Sequence, residues 1–416
     1  MFDFDKWQEI FNTIMKHKLR TFMTALGVFW GIFMLILLMG AGSGLENGVT
    51  GLFGGHAKNS MYVWTNRTTK PFNGRPPGRY ISLTNDDVRA IQAQFGDQIE
   101  YVSKRLNVRT SVITRGDRQG DFDVRGDTPD MLDIDAFELI NGRFLNERDM
   151  NNRRKVIVIG KRVQEVLFEE EEDPIGEYIK VGGTEYLVVG VLKSDRRGSE
   201  AADDEEVILM PLTTAQQITN QPNRIHWFLC STYANVRVSE VEEKVKTLLR
   251  QRHDIAPDDP QGIGSNNVEE EFRQINGLFI GIKFITWFVG IGTLLAGIIG
   301  VGNIMLIVVK ERTKEIGIRK AMGATPGSII SMIMLESVFI TTIAGYAGLA
   351  FSTCIVALMN MAVSSGGSVE FYANPEVDFG VGISALLILI ISGALIGLVP
   401  ALHAARINPV QALKDE

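Results

Sequence analysis

Four stretches of this chain contain no Asp, Glu, Lys or Arg: 21–45, 284–309, 337–369 and 379–405. The hydrocarbon core of a bilayer, about 30 Å thick, requires about 20 apolar helical residues, and each run supplies that many or more. Soluble core helices rarely continue so long without a charge. The pattern predicts a polytopic α-helical membrane protein with four transmembrane helices, over 22–45, 279–309, 327–361 and 379–402. Between the first two lies a long segment, 46–278, patterned like a soluble protein and expected to form a large mixed α/β extracytoplasmic domain. Its β-branched runs at 156–159, 186–191, 207–210 and 233–238 read as strands. One helix should run from Thr84 through Val88, Ile91 and Phe95. Another should start at Ser239, where Glu242 completes a capping box, and continue through Val241, Val245, Leu248 and Leu249.

Two amphipathic stretches flank the membrane runs. Phe4, Trp7, Phe11 and Ile14 recur at helical spacing within 2–16, with Lys6, Lys16 and Lys18 nearby. This predicts an interfacial helix in segment 1–21, lying along the membrane surface before the chain enters the bilayer. Ahead of the second apolar run, Phe272, Ile275, Leu278, Phe279 and Ile282 form a stripe, and no breaker separates them from Phe284. One helix is expected to continue out of the membrane there as a stalk.

Charge then orients the helices. The chain has 416 residues, a net charge of −7 and a mean hydropathy of +0.08, too apolar for an ordinary soluble protein of this size. Segments 1–21, 310–325 and 403–416 together hold eleven Lys/Arg against seven Asp/Glu, whereas 361–378 has three acids and no Lys or Arg. The positive-inside bias places both termini and the 310–326 loop in the cytoplasm and the short 362–378 loop outside; the 46–278 domain, too long for its charge to count, follows outside from the parity of the helices. A cleavable signal peptide is the rival reading of the first run, but the run exceeds a normal apolar region and no A-x-A site follows it. Cys230 and Cys354 are expected as free buried thiols. His17, His56, His226, His253 and His403 have no metal-ligand spacing, and no metal is assigned. The acidic clusters 169–173 and 200–206 read as solvated loops.

No phosphate-binding loop is visible. Such a loop needs G-x-x-x-x-G-K-[ST], but Arg162 follows Gly160-Lys161, and Lys155 stands at the first glycine position. No catalytic residue is assigned, and no cofactor is expected on this chain.

The cytoplasmic loop at 310–326 carries the most information. Its basic residues would serve as a topology signal in any case, but that does not account for the apolar Ile316, Ile318, Ala321 and Met322. A partner-docking helix accounts for both, with Arg312, Lys314, Glu315, Ile316, Gly317, Ile318, Arg319, Lys320, Met322 and Gly323 as its coupling residues. Gly317 and Gly323 are expected to allow close backbone approach.

Here the chain resembles the MacB/FtsX/LolC permeases. The run E-R-T-x-E-I-G-I-R-x-A-x-G-A-T-P over 311–326, with Glu336 ten residues on, is similar to their second intracellular segment. Pro400-Ala401, Ala404-Ala405-Arg406, Pro409 and Ala412-Leu413 resemble the closing motif. Gly142-Arg143-Phe144 with Asp149, the run 156–160, Leu167-Phe168, Pro174-Ile175-Gly176, the run 188–191 and RQRHDIAPDD over 250–259 resemble the MacB-like periplasmic core.

The resemblance implies four membrane helices and a dimer with a second permease copy or paralogue, working beside an ABC ATPase dimer that holds ATP and Mg. It also implies a porter-like outer domain with a β-rich insertion at about 118–208, and location in the bacterial inner membrane. MacB fuses its ATPase at the N-terminus, whereas this chain starts at the interfacial helix, so a separate ATPase chain is expected. A periplasmic adaptor and an outer-membrane channel are further expected partners; nucleic acid is not.

Small-xxx-small spacings, Gly27/Gly31, Gly40/Gly44, Ala296/Gly300 and Gly393/Gly397, let helix backbones approach closely, within the chain or between subunits. Glu336 is the lone acid of its helix. It reads either as a functional intramembrane charge or as a residue near the cytoplasmic interface partnered by a base or a helix end. ATP-driven efflux of a small molecule, peptide or lipid is the first functional reading. An FtsX-like activator of a cell-wall hydrolase and LolC/E-like lipoprotein release are the alternatives, and a membrane-tethered enzyme ranks below them.

Overall fold

A computed structural model describes residues 18–52, 57–109, 112–135, 137–170, 172–196, 199–365 and 371–406. The interfacial helix expected over 2–16 lies outside these residues, as do Pro409, Ala412 and Leu413. The chain divides into two compact units at Asn47/Gly48 and Gly277/Leu278. The first apolar run forms helix α1 (Lys18–Leu52).

The outer unit, Gly48–Gly277, follows with β1 (Ser60–Thr65), β2 (Leu83–Thr84), α2 (Asn85–Phe95), β3 (Ile99–Val108), β4 (Ile113–Arg115), β5 (Arg118–Gly120) and β6 (Asp123–Asp127). Then come β7 (Phe137–Gly142), β8 (Val156–Gly160), β9 (Tyr178–Val181), β10 (Thr184–Ser194), β11 (Val207–Pro211), β12 (Arg224–Ile225), β13 (Trp227–Thr232), α3 (Val238–Arg252) and β14 (Ile263–Asn267). The strand order is β14-β1-β13-β3-β6-β11-β8-β10-β9-β4-β5, with β7 on β10, and β12 pairs with β2. β3 belongs to both parts of this sheet: Ile99–Arg105 pairs with β13, and Leu106–Val108 pairs with β6.

The central strands read as unbroken apolar runs because both faces are buried. In β8, Ile157 and Ile159 join one core and Val156 and Val158 another. In β11, Ile208 and Met210 divide from Val207 and Leu209 in the same way.

Two local readings are corrected. The strand expected at 233–238 is β13, which ends at Thr232. Val236 N–H donates to the Tyr233 carbonyl and Thr232 Oγ1 to the Val236 carbonyl, so 233–237 turns. The capping box at Ser239 does not form. α3 starts at Val238, whose amide donates to Glu269 Oε2 at 2.6 Å, and Glu242 instead accepts from Ser265, Asn267 and Lys246.

The RQRHDIAPDD run joins the end of α3 to the rest of the unit. Arg252 Nε lies 2.8 Å and His253 Nε2 3.0 Å from the Asp87 carboxylate. Asp259 accepts from Thr69, Lys70, Gln261 and Gly262 amides and the Thr69 hydroxyl. Burial pushes both carboxyls up, but these bonds outweigh it and hold each well below the usual range.

After β14 the chain enters α4 (Val268–Glu311), a single helix of 44 residues, followed by α5 (Thr313–Ala321), α6 (Pro326–Ser364) and α7 (Phe379–Ala405). At about 1.5 Å per residue α4 is about 66 Å long, twice what a bilayer core requires. α1, α4, α6 and α7 are each long and apolar enough to cross a membrane. Val28, Ile32, Leu35 and Ile36 of α1 meet Leu294, Val301 and Met305 of α4, Ile340 and Ala344 of α6, and Ala385 and Leu389 of α7. The outward faces of these helices are lined with exposed Leu, Ile and Phe, as lipid contact demands. Cys230 is buried, and burial, reinforced by Glu242, pushes its thiol up to about 12. Cys354, expected to be buried, lies instead on the exposed face of α6.

Candidate coupling site and helix interface

α4 gives way to α5 across the single residue Arg312, and Thr313 Oγ1 donates to the Val309 and Lys310 carbonyls at the turn. The sequence G-A-T-P closes α5 and opens α6. Gly323 takes φ +100°, a left-handed conformation that glycine adopts without strain, and its N–H returns to the Lys320 carbonyl. Thr325 caps α6 by accepting from Ser328 N, and Pro326 occupies the first turn, where no amide is needed. Nothing of the described residues lies within 4 Å of where a Cβ on Gly323 would be, so within the chain it is the positive φ that calls for glycine there.

α5 has two faces. Ile316 and Gly317 are buried, and Ile316 packs with Val309, Ile329, Ile333, Ala401 and Ala404. Arg312 Nη1 lies 3.2 Å from Glu336 Oε2, Arg319 Nη1 reaches Met332 Sδ at 2.8 Å, and Lys320 Nζ donates to the Ala405 carbonyl at 2.8 Å. The last contact places a cation on the C-terminus of α7, where the helix dipole favours it. Lys314, Glu315, Ile318, Ala321 and Met322 are exposed, a stripe at i, i+1, i+4, i+7 and i+8. Ile318 is 43% and Met322 76% exposed. Ile316, expected on the docking surface, therefore belongs to the helical bundle, as do the side chains of Arg312, Arg319 and Lys320.

Glu336 is 6% exposed, about 15 Å along α6 from Pro326, and its carboxylate meets Arg312. Of its two readings, the structure supports partnering by a base, at the junction of α4 and α5.

The glycines pack inside the chain. A Cβ on Gly297 would lie 2.8 Å from the Gly27 carbonyl oxygen, and one on Gly31 would lie 3.1 Å from the Thr293 carbonyl oxygen. Gly40 faces Val356, Gly44 faces Tyr372, Gly393 faces Thr341 and Gly397 faces Ser337, each too close for an added Cβ. Gly300 is the exception, with nothing within 4 Å. The residue that packs there is Gly297, which the Ala296/Gly300 spacing overlooked by one helical position. The register could have been found from Gly297's placement opposite Gly27 and Gly31, but not from α4 alone.

In the outer unit, the GRF-and-Asp motif is structural. Gly142 adopts φ +74°, and a Cβ there would run into the Val189 carbonyl oxygen, so no other residue fits. Asp149, fully buried, pairs with Arg143 at 2.6 Å and forms a capping box with Asn146. Sequence patterning did not reveal a buried ionic cluster at the junction of the two parts of the sheet. Arg105 lies 2.5 Å from Asp127 and 3.3 Å from Asp135, and Arg196 lies 3.0 Å from Asp135. Arg105 also stacks on Trp227. Burial and the Asp135 charge push the neighbouring Tyr62 up to about 12.

Residues 21–251 match the MacB-like periplasmic core domain, and residues 287–409 match the FtsX-like permease C-terminal domain. The chain belongs to the MacB/FtsX-like permease family. The pyoverdine export ATP-binding/permease protein PvdT of Pseudomonas entomophila is 29% identical over 405 residues, covering 96% of this chain and 58% of that protein. The macrolide export ATP-binding/permease protein MacB of Psychrobacter arcticus is 28% identical over 402 residues, with the same two shares. MacB of Neisseria meningitidis serogroup A is 28% identical over 430 residues, covering 100% of this chain and 62% of that protein. This MacB/FtsX-like permease thus spans about three fifths of the length of these relatives. The crystal structure of the periplasmic region of MacB from Actinobacillus actinomycetemcomitans matches 56% of the chain and 97% of its own at 17% identity, with a TM-score of 0.44. α5 lies within the permease match.

Proposed function

We propose that this chain is the membrane-spanning part of an ATP-driven exporter, coupled through the exposed face of α5 to an ABC ATPase outside these 416 residues. The observation that carries this reading is the division of α5. Ile316, Arg312 and Lys320 fix the helix to α6 and α7, while Ile318, Ala321 and Met322 remain exposed on a segment too charged to enter lipid. Exposed ion pairs contribute only about 0–1 kcal/mol each. Apolar burial, at about 25 cal/mol per Å², therefore supplies most of the docking energy, with Lys314 and Glu315 setting the register.

ATP and Mg²⁺ are held by the ATPase. Its movement on nucleotide binding reaches α6 through Arg312–Glu336 and the outer unit through the unbroken α4. Both termini and α5 lie in the cytoplasm and the outer unit lies outside, in a dimer with a second permease copy; an adaptor and an outer-membrane channel complete the pathway. Export is favoured over hydrolase regulation and lipoprotein release because the relatives matched over nearly the whole chain carry exporter names.

Cysteine labelling tests this arrangement in intact cells. Asn66→Cys and Asp121→Cys should react with an impermeant maleimide from outside, and Thr313→Cys only after permeabilisation. Labelling of Thr313→Cys from outside would remove α5 from the ATPase's side and end the proposal.

A further inference from the structure

The outer unit contains a cavity of about 740 Å³ for which the coupling account has no use. It lies between the tip of β9–β10, at Val181, Gly182, Thr184 and Tyr186, and the segment running from the end of the helix Leu212–Ile218 into β12. Its size falls within the range of about 300–1,000 Å³ typical of small-molecule sites.

The lining is polar and one-signed. Arg109 and Arg224 face it together with His226, Gln221, Asn107 and Tyr80, and among the described residues no acid lines it. Arg224 Nε and Gln221 Oε1 are buried and have no hydrogen-bond partner among the described residues. The Arg224 guanidinium is held over the Tyr80 ring, 5.6 Å from its centroid. Its backbone carbonyl accepts from Gln216 Nε2 at 2.9 Å, which fixes the strand that presents it. His226 is oriented as well: the Asn107 amide donates to its Nδ1 at 3.2 Å, so the neutral ring carries its proton on Nε2 as a further donor. Burial, then Arg224 and Arg109, pulls His226 below its ordinary value and keeps it neutral.

Two guanidinium groups and an imidazole N–H converging without a carboxylate form an acceptor-binding site of net positive charge, suited to bidentate recognition of carboxylates. We propose that this cavity binds a small organic polycarboxylate. Binding here needs neither ATP nor an ATPase, so it stands or falls separately from the docking of α5.

The test is titration calorimetry of the full chain in detergent, with citrate as the probe and triethyl citrate and inorganic phosphate as controls. Citrate should bind, and triethyl citrate should not. Arg224→Ala and Arg109→Ala should each weaken citrate by about ten-fold or more, as expected for loss of a charge-assisted hydrogen bond. Arg89→Ala, on the exposed face of α2, should leave binding unchanged. Thermal unfolding checks each variant; if Arg224→Ala is unstable, Arg224→Lys and Arg109→Glu replace it, the former weakening and the latter abolishing binding. Absence of citrate binding, equal binding of the neutral ester, binding of phosphate alone, or citrate affinity indifferent to both arginines would each overturn the proposal.

Discussion

Glu336 is a residue whose role follows from its partner rather than its position. An isolated acid in an apolar helix would cost about 2.5–3.5 kcal/mol on insertion scales. Arg312, 3.2 Å away, offsets that cost and ties α6 to the start of α5. Removing one member of a buried pair typically costs about 3–5 kcal/mol. Glu336→Ala should therefore lower the unfolding temperature in detergent and uncouple ATPase stimulation, and Arg312→Met with Glu336→Leu should recover more stability than coupling. Equal recovery of both would assign the pair to folding alone.

A second residue prediction concerns pH. Asp87 and Asp259 have folded values depressed below the unfolded carboxylate value of about 3.9, so their stabilisation is fully present above that value and is lost as the pH falls through and below it. The outer unit should melt earlier as the pH is lowered from about 5 to about 3, and Asp87→Asn should flatten that slope while lowering the melting point at neutral pH. A slope unchanged by Asp87→Asn would mean that other carboxylates control acid stability. Glu336 itself was visible in the sequence as an anomaly. Its partner, 24 residues away at the junction of α4 and α5, was not.

At the scale of elements, long apolar runs were legible and junctions were not. The four membrane helices and β8, β10 and β11 follow from charge-free or unbroken apolar runs that admit few alternatives. The run at 233–238 mimicked a strand because Val236 and Val238 alternate, yet Val236 packs from a turn and Val238 opens α3. The cap of α3 comes from Glu269, which no local pattern could reveal.

Helix packing shows the same limit, since small residues advertise close approach without naming the neighbour. Gly297→Val should destabilise the bundle by about 1–3 kcal/mol, because the new Cβ meets the Gly27 backbone. Gly300→Leu should leave the melting point of the monomeric chain unchanged. If Gly300→Leu instead lowers that melting point and Gly297→Val does not, the α1–α4 register is wrong. Loss of dimer with an unchanged monomer melt would place Gly300 against the second copy.

For the whole molecule, the sequence singled out 310–326 as a candidate docking segment, but it could not divide its residues between two faces. Period alone does not say which stripe faces the bundle. The inward stripe of α5 contains Ile316 and Gly317, and the outward stripe contains Ile318, Ala321 and Met322. That division is the basis for the proposed coupling, and co-purification of the ATPase with the full chain in mild detergent tests it most directly. Ile318→Glu and Met322→Glu should lose the ATPase and its stimulated turnover while melting like wild type. Lys314→Glu should weaken association less, with an effect that shrinks as salt is added. Full ATPase retention and turnover in both Ile318→Glu and Met322→Glu would contradict the account and leave α5 as a topology signal.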